Sequence, residues 1–181
     1  MINETRIITQ LKDESQKEAA FNTLVHEYQE VLYWQIRRLV LSHDDADDVL
    51  QNTFIKAWMA LDDFRAESKI STWLFRIAIN ESLSFLEKKK KKNISISSDV
   101  IEDLTSQLMS DPFFDGDETQ ALLQKAIAQL PEKQRAVFNL KYFQEMKYED
   151  MSQMLGTSIG ALKASYHHAV KKITDFFQQN D

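Results

Sequence analysis

The sequence predicts an all-α protein made of two small helical domains joined by an acidic linker. Helix breakers are scarce, because the 181 residues include only 3 Gly and 2 Pro. Apolar residues make up 43% of the chain, which is enough to form packed cores. They recur at helical spacing on both sides of one stretch without cations, Asn93–Glu118.

The first two predicted helices lie at about Gln16–Leu41 and Asp44–Leu61. Ser42 is the predicted N-cap of the second, because Asp44 and Asp45 then fall in its first turn, where negative charge is favoured. The buried face of the first helix comprises Phe21, Leu24, Val25, Tyr28, Val31, Leu32, Gln35, Ile36, Leu39 and Val40. The apolar stripe of the second comprises Val49, Leu50, Thr53, Phe54, Ala57, Trp58 and Leu61.

A polar loop at about Asp62–Ile70 leads to a third predicted helix, Thr72–Lys92, with Ser71 as its N-cap. The apolar face of this helix comprises Trp73, Leu74, Ile77, Ala78, Leu83 and Leu86. The cation-free stretch that follows has no clean period, so we interpret it as a linker with a short helical turn at Ile101–Met109.

A second helical unit runs from about Glu118 to the end of the sequence. Pro131 is well placed as the first residue of a helix, Pro131–Phe143. A shorter helix at Lys147–Leu155 is followed by Gly156, where a left-handed conformation is inexpensive. The last predicted helix is Ser158–Gln178.

The segment Tyr148–Ile173 has the pattern of a helix-turn-helix, with Gly156 at the turn and Thr157 or Ser158 as the cap of the second helix. Ile159, Leu162 and either Tyr166 or Ala169 are expected to face inward. The outer positions are Ser158, Gly160, Ala161, Lys163, Ala164, Ser165 and His167. A helix of this kind fits the DNA major groove, but an ordinary helical hairpin remains an alternative.

Charge is distributed in blocks along a chain whose net charge is −6. Residues 65–92 carry 8 cations and 3 anions, whereas residues 93–120 carry 7 anions and no cation. The totals therefore hide two surfaces with opposite preferences for partners.

The basic block has the composition of a site for single-stranded nucleic acid. Arg65 and Lys69 lie in a polar loop, Trp73 opens the next helix, and Lys88–Lys92 end it. Aromatic platforms beside a cationic track are typical of such sites. Two alternatives remain open: the aromatic residues belong to the core, or the lysines form a solvated helix end that suits the helix dipole.

Several function classes are excluded or disfavoured by composition. The absence of cysteine excludes disulfides and thiolate chemistry, and no apolar run approaches the ~20 residues that span a bilayer. The N-terminus lacks the order of a signal peptide, so we expect a cytoplasmic protein. Four aspartates crowded at 44–48 point in different directions, and no nucleophile–base pair is present, so we predict no metal, no cofactor and no enzyme.

Two stretches resemble a known family. The second region of extracytoplasmic-function sigma factors of the sigma-70 family is similar to the stretch DDADDVLQNTFIKAWMALDDFRAESKISTWLFRIAIN. Their fourth region is similar to the stretch LPEKQRAVFNLKYFQEMKYEDMSQMLGTSIGALKASYHHAVKKI. The resemblance implies a transcription initiation factor that binds core RNA polymerase, through its β′ clamp helices and β subunit, and promoter DNA. It implies domains at 1–92 and 118–181, with the linker at 93–117 in the path toward RNA. Whether an anti-sigma factor binds is left open.

The resemblance also implies roles for individual residues. Those that dock on the β′ clamp helices are Asp47, Asp48, Val49, Gln51, Asn52, Phe54, Ile55 and Trp58. Those that melt and hold the −10 element are Phe64, Arg65, Lys69, Ser71, Thr72, Trp73, Arg76 and Asn80. Those that contact the −35 element are Thr157, Ser158, Ala161, Lys163, Ser165, Tyr166 and His167.

The recognition helix departs from the family pattern. Many relatives carry Lys-Ser-Arg and a further arginine there, whereas this chain has Lys163-Ala164-Ser165 followed by Tyr166-His167-His168. Fewer arginines are expected to weaken binding to the DNA phosphates. We therefore do not transfer the family's usual sequence preference at the −35 element to this chain. His167 and His168 diverge by about 100° around the helix, which disfavours a shared metal.

Two rival functions come from other classes. A stand-alone helix-turn-helix regulator would bind duplex DNA as a dimer without polymerase. A membrane-surface or partner-binding protein would use the lysines at Lys88–Lys92 and would bind anionic vesicles.

Overall fold

The computed structural model describes residues 3–92, 101–103, 106–107, 110 and 116–180, and the chain divides into two compact units, Met1–Lys88 and Lys89–Asp181. Within the described residues the regular secondary structure consists of α-helices and one short 3₁₀ turn. The predicted all-α, two-domain architecture is thus confirmed.

The first unit contains four α-helices. They are α1 (Glu4–Leu11), α2 (Lys17–Val40), α3 (His43–Met59) and α4 (Ile70–Lys91), with the 3₁₀ turn at Leu61–Asp63. Helix α2 packs against both α1 and α3. The core includes Leu24, Leu32, Ile36, Leu74 and Ile79, each fully buried. Val31, which we predicted to be buried, is 44% exposed.

Helix α1 was not predicted from the sequence. It begins after Asn3, whose side chain accepts a hydrogen bond from the Arg6 amide at 3.1 Å. Its apolar side chains Ile7 and Leu11 are both buried. An eight-residue helix offers too few periods for a reliable helical pattern, and such a helix is stable mainly through packing.

The two predicted caps of the first unit had different outcomes. Ser42 is confirmed as the N-cap of α3, since its hydroxyl accepts from the Asp45 amide at 3.4 Å. Ser71 is not an N-cap, because α4 begins at Ile70 and so already includes Ser71. The Trp73 amide accordingly donates a helical hydrogen bond to the Lys69 carbonyl at 3.1 Å. Burial of Ile70, which is 0% exposed, draws the helix start back into the loop.

The second unit contains α5 (Glu118–Ala128), α6 (Glu132–Tyr142), α7 (Tyr148–Leu155) and α8 (Ile159–Asn180). Helix α8 packs against each of the other three. The buried cluster at its centre comprises Ala126, Ile127, Leu130, Phe138, Ala169 and Ile173.

A short helical turn was predicted in the linker at Ile101–Met109. Residues 101–103 and 106–107 of that stretch are helical, and the others lie outside the described residues.

The junction between α5 and α6 contains Pro131 and a buried arginine, Arg135. Pro131 is the N-cap of α6 and not its first residue as predicted. Nη1 of Arg135 donates to the carbonyl of Ala128 at 2.9 Å and so satisfies a terminal carbonyl of α5. Burial lowers the pKa of Arg135 to about 10.

The predicted helix-turn-helix geometry is present in the second unit. Gly156 ends α7 with φ of +61°. Ser158 caps α8 by accepting from the Ala161 amide at 3.3 Å. Leu162 and Ala169 are buried at 1% and 0% exposure, as expected for the inward face.

The turn offers a matched pair of glycine substitutions. Neither Gly156 nor Gly160 has an atom within 4 Å of an added Cβ, so space does not distinguish them. We expect Gly156→Ala to lower the free energy of unfolding by about 1–2 kcal/mol, because its φ is left-handed. Gly160→Ala, within α8, should raise it by about 0.5–1 kcal/mol. Urea denaturation of both variants checks this, and changes of the same sign would contradict it.

Candidate nucleic-acid and protein interfaces

Helix α3 presents one exposed face from Asp48 to Met59. Asp48, Asn52, Ile55 and Met59 recur every three or four residues, and all four are exposed. Ile55 is 50% and Met59 75% exposed, which is unusual for large apolar side chains on the same stripe. We call these four residues the outer face of α3.

An open apolar groove borders the outer face of α3. It has a volume of about 360 Å³ and is lined by Phe21, Gln51, Phe54, Ile55, Trp58 and Met59. Trp58 stands edge-on to Phe21, with ring centroids 5.0 Å apart, yet it is 41% exposed. Nζ of Lys17 lies 5.6 Å from the centroid of the Trp58 ring, and it forms an ion pair with Oδ1 of Asp62 at 2.5 Å. These contacts fix the indole in a position that is still accessible from solvent.

A relay of three side chains, Tyr33, His43 and Asp47, lies at the acidic start of α3. The Tyr33 hydroxyl is hydrogen-bonded to Nδ1 of His43 at 2.7 Å, and Nε2 of the same ring lies 3.4 Å from an Asp47 oxygen. Tyr33 itself is only 8% exposed. The buried phenol of α2 thus fixes one side of the His43 ring, and Asp47 lies near its other side.

We expect Tyr33→Phe to lower the free energy of unfolding by about 1 kcal/mol, because the His43 ring loses its buried partner. Urea denaturation measures this change. Thr9→Ala is a suitable control, since it removes a hydroxyl that donates to the Thr5 carbonyl at an exposed site. An equal loss in both variants would count against the relay.

The predicted docking residues do not all reach the surface. Asp47, Asp48, Gln51, Asn52, Ile55 and Trp58 are exposed, and Phe54 is half-buried. Val49 is only 2% exposed and belongs to the core between helices. Any contribution of Val49 to binding would therefore act by positioning the helix.

The loop before α4 and the first turns of α4 bring the predicted −10 residues into one region. Arg65, Lys69, Arg76 and Asn80 are exposed, whereas Ser71, Thr72 and Trp73 are half-buried. Phe64 is buried at 9% exposure, and its ring centroid lies 5.1 Å from that of Trp73, with the planes tilted by 45°. The backbone between them turns at Ala66 with φ of +57°. Phe64 therefore supports Trp73 from beneath.

Helix α1 adds a carboxylate that the sequence did not place there. The Ser71 hydroxyl donates to a Glu4 oxygen at 3.4 Å. Burial is the main cause that raises the pKa of Tyr28, and the Glu4 charge adds to it. Glu4, Tyr28 and Ser71 are thus neighbours at the start of α4.

The basic end of α4 is mostly solvent-facing. Lys88, Lys90, Lys91 and Lys92 are exposed and Lys89 is half-buried. Nearer the middle of the helix, Glu81 forms an ion pair with Lys56 of α3, which ties the two helices together.

On α8 the predicted −35 residues divide between surface and core. Ser158, Ala161, Lys163 and His167 are exposed, and Thr157, Ser165 and Tyr166 are half-buried. Tyr166 stacks on Phe138 with centroids 5.8 Å apart and planes 17° apart, so its ring belongs to the core of the unit. The rings of His167 and His168 are 6.1 Å apart.

The described residues offer neither a metal site nor a membrane-spanning helix. Across residues 3–92 and the described parts beyond, no group of three His, Asp or Glu side chains is arranged to hold a metal ion. None of the described helices has the length and apolar character required to cross a bilayer.

The chain matches two models of one protein family. Residues 24–92 match the model for sigma-70 region 2, and residues 120–173 match the model for sigma-70 region 4. The chain is 32% identical over 157 residues to the ECF RNA polymerase sigma factor SigW of Bacillus subtilis, covering 82% of this chain and 83% of SigW. It is 31% identical over 175 residues to the RNA polymerase sigma-H factor of Pseudomonas aeruginosa, with 88% and 86% covered.

A solved structure has a similar fold. The sigma factor RpoE of Bartonella quintana, crystallised with the anti-sigma factor NepR, superposes with a TM-score of 0.68 and 25% sequence identity. The match covers 87% of this chain and 96% of that one.

Proposed function

Because the chain belongs to the extracytoplasmic-function group of the sigma-70 family, which directs RNA polymerase to promoters, we propose a division of labour between its two units. The first unit docks on core polymerase and captures the −10 element, and the second binds the −35 duplex. Sigma factors have no catalysis of their own, so the chain is not an enzyme. Its work with polymerase and DNA places it in the cytoplasm.

The outer face of α3 and the adjoining groove support the docking assignment. Ile55, Trp58 and Met59 offer exposed apolar surface, while Asp47 and Asp48 supply negative charge about two to three turns away. Large apolar side chains within a polar rim are typical of binding hot spots. The β′ clamp helices would lie along α3, with Gln51 and Asn52 as polar contacts and Val49 and Phe54 as support.

Trp73 and its surroundings support the −10 assignment. A half-buried indole on top of Phe64 offers a rigid platform for an unstacked base. Arg65, Lys69 and Arg76 are exposed around it and can hold the phosphates of the non-template strand. Ser71, Thr72 and Asn80 would supply hydrogen bonds to a flipped base.

The exposed side of α8 supports the −35 assignment. The N-terminal turns of a recognition helix contact base edges in the major groove, and Thr157, Ser158, Ala161, Lys163, Ser165 and His167 occupy those turns. Tyr166 would act mainly by holding the helix on Phe138.

The linker and a further partner complete the proposal. We assign the domains to residues 1–92 and 118–181, with the acidic linker at 93–117 threaded toward the RNA path, where its 6 anions imitate nucleic acid. The RpoE relative was crystallised with an anti-sigma factor. We infer that a protein of this class also binds the present chain.

Binding to core polymerase tests the proposal against its rivals. A fluorescent derivative of the full chain, titrated with core, should bind saturably, and only the complex should retain a promoter fragment at physiological salt. Tight binding to duplex DNA as a dimer, without any binding to core, would favour the stand-alone regulator. Binding to anionic vesicles but not to core would favour the membrane-surface protein.

A further inference from the structure

An ion pair ties the acidic linker to the second unit. Nζ of Lys125, in the last turn of α5, donates to Oε1 of Glu102 at 3.2 Å. Both residues belong to the compact unit Lys89–Asp181. The side chain of Lys125 is 34% exposed and that of Glu102 is 73% exposed. We call this contact the linker clip.

The part of the linker that carries Glu102 has local structure of its own. Residues 101–103 and 106–107 are helical. Nε2 of Gln107 donates to Oδ2 of Asp103 at 2.8 Å, and the Ser106 hydroxyl donates to the Asp103 carbonyl at 2.8 Å. Ile101 is half-buried, whereas Glu102 and Asp103 are exposed. Glu102 therefore projects from an ordered segment, which lowers the entropy lost when it pairs.

Charge also favours contact between the linker and the second unit. Residues 93–117 carry 6 anions and no cation, whereas residues 121–181 carry 8 cations and 6 anions. Lys125 suits the last turn of α5, because the C-terminal end of a helix favours positive charge. The ammonium group is thus stabilised at the place where the linker carboxylate meets it.

The linker clip shortens the free chain between the two units. Helix α4 ends at Lys91 and Asp117 caps α5, so residues 92–116 form a tether of 25 residues. With Glu102 held on Lys125, the free tether is reduced to the 10 residues 92–101. Its maximum reach then falls from about 85 Å to about 34 Å. The −10 and −35 elements lie about 25 base pairs apart, or about 85 Å along the duplex, so the clip restricts how far the units can separate to contact both.

We propose that the linker clip is an autoinhibitory latch. In the free chain the acidic linker binds Lys125 of its own second unit, and it has to leave that lysine before it can enter the RNA path of polymerase. This inference rests on the function proposed above for the linker and the two units. An exposed ion pair shifts an equilibrium by no more than about fivefold. That strength suits a latch that polymerase opens when it binds.

Amide hydrogen exchange of the full chain tests whether the linker clip forms in solution. Lys125→Glu and Glu102→Lys each replace attraction by repulsion. Each should reduce the protection of residues 101–110, relative to a free peptide of the same sequence, by about two- to fivefold. The double charge swap, Glu102→Lys with Lys125→Glu, restores the pair and should return protection to the wild-type level.

Titration of the labelled full chain with core polymerase tests the consequence of the clip. Each single charge reversal should raise the affinity for core by about two- to fivefold, because the latch no longer competes. The double swap should return the affinity to that of wild type. Lys133→Glu is the matched control, since it reverses an exposed lysine on α6, and it should change neither protection nor affinity.

The linker clip would be refuted by unchanged protection in both single variants, or by a loss of protection that the double swap does not repair. Reduced protection without a gain in affinity for core would refute the latch, because the clip would then not oppose binding. If wild-type chain does not bind core at all, the proposed function fails and the latch fails with it. Exchange in the free chain would still show whether Glu102 is held on Lys125.

Discussion

Replacing Asn52 and Ile55 together with alanine is expected to weaken binding to core RNA polymerase by about 30-fold or more. Both side chains lie on the outer face of α3, and Ile55 is 50% exposed. Truncation of a residue at the centre of an interface typically costs ~2 kcal/mol or more. The change in dissociation constant is measured by titrating labelled chain with core.

The substitution should leave the free protein folded, because neither side chain contributes to the core. Val31→Ala is the matched control, since Val31 is also a large exposed aliphatic residue, at 44%, but lies on α2. Its affinity for core should stay within about twofold of wild type. Equal affinity for the double variant and Val31→Ala would contradict the assignment of α3 as the docking helix.

Trp73→Ala is expected to reduce the fraction of open promoter complex by about 5- to 150-fold at equal polymerase binding. Stacking of a base on an aromatic side chain contributes ~1–3 kcal/mol, and Trp73 is the half-buried platform above Phe64. Reactivity of unpaired thymines in the −10 region measures the melted fraction. Lys69→Ala should give a smaller loss, since it removes one exposed phosphate contact.

Trp73→Phe distinguishes stacking from structural support. A phenyl ring retains a platform, so this variant should recover most of the open complex, while affinity for core stays unchanged in both variants. Parallel loss of core binding and of thermal stability in Trp73→Ala would instead assign the residue to the core alone.

Local chemistry explains why most of the fold was predictable. The expected caps are present at Ser42 and Ser158, because each hydroxyl accepts a hydrogen bond from a nearby backbone amide. The expected turn is present at Gly156, because a residue without a Cβ adopts the left-handed conformation at little cost. Where tertiary burial competes with local preference, prediction failed. Burial of Ile70 overrides the cap expected at Ser71, and Leu41 adopts φ of +71° although it is not glycine.

Surface roles were harder to obtain from the sequence. Helical periodicity identifies the apolar face of a helix. It does not show whether that face is buried against another helix of the chain or is left exposed for a partner protein. Trp58 fits the stripe of α3, yet 41% of it is exposed, whereas Val49 on the same stripe is buried. Lys141 and Lys163 both lie over the ring of Tyr148, from which they are 7 and 15 positions away along the sequence, and they meet it only when α6, α7 and α8 pack. No local pattern signals such a meeting.

Run-off transcription tests the central claim most directly. Purified core polymerase is supplied with genomic DNA fragments, with and without the full chain, and the starts of the transcripts are mapped. A promoter-directing factor predicts discrete new start sites that require both the chain and core. Absence of new starts, together with absence of binding to core, would contradict the account.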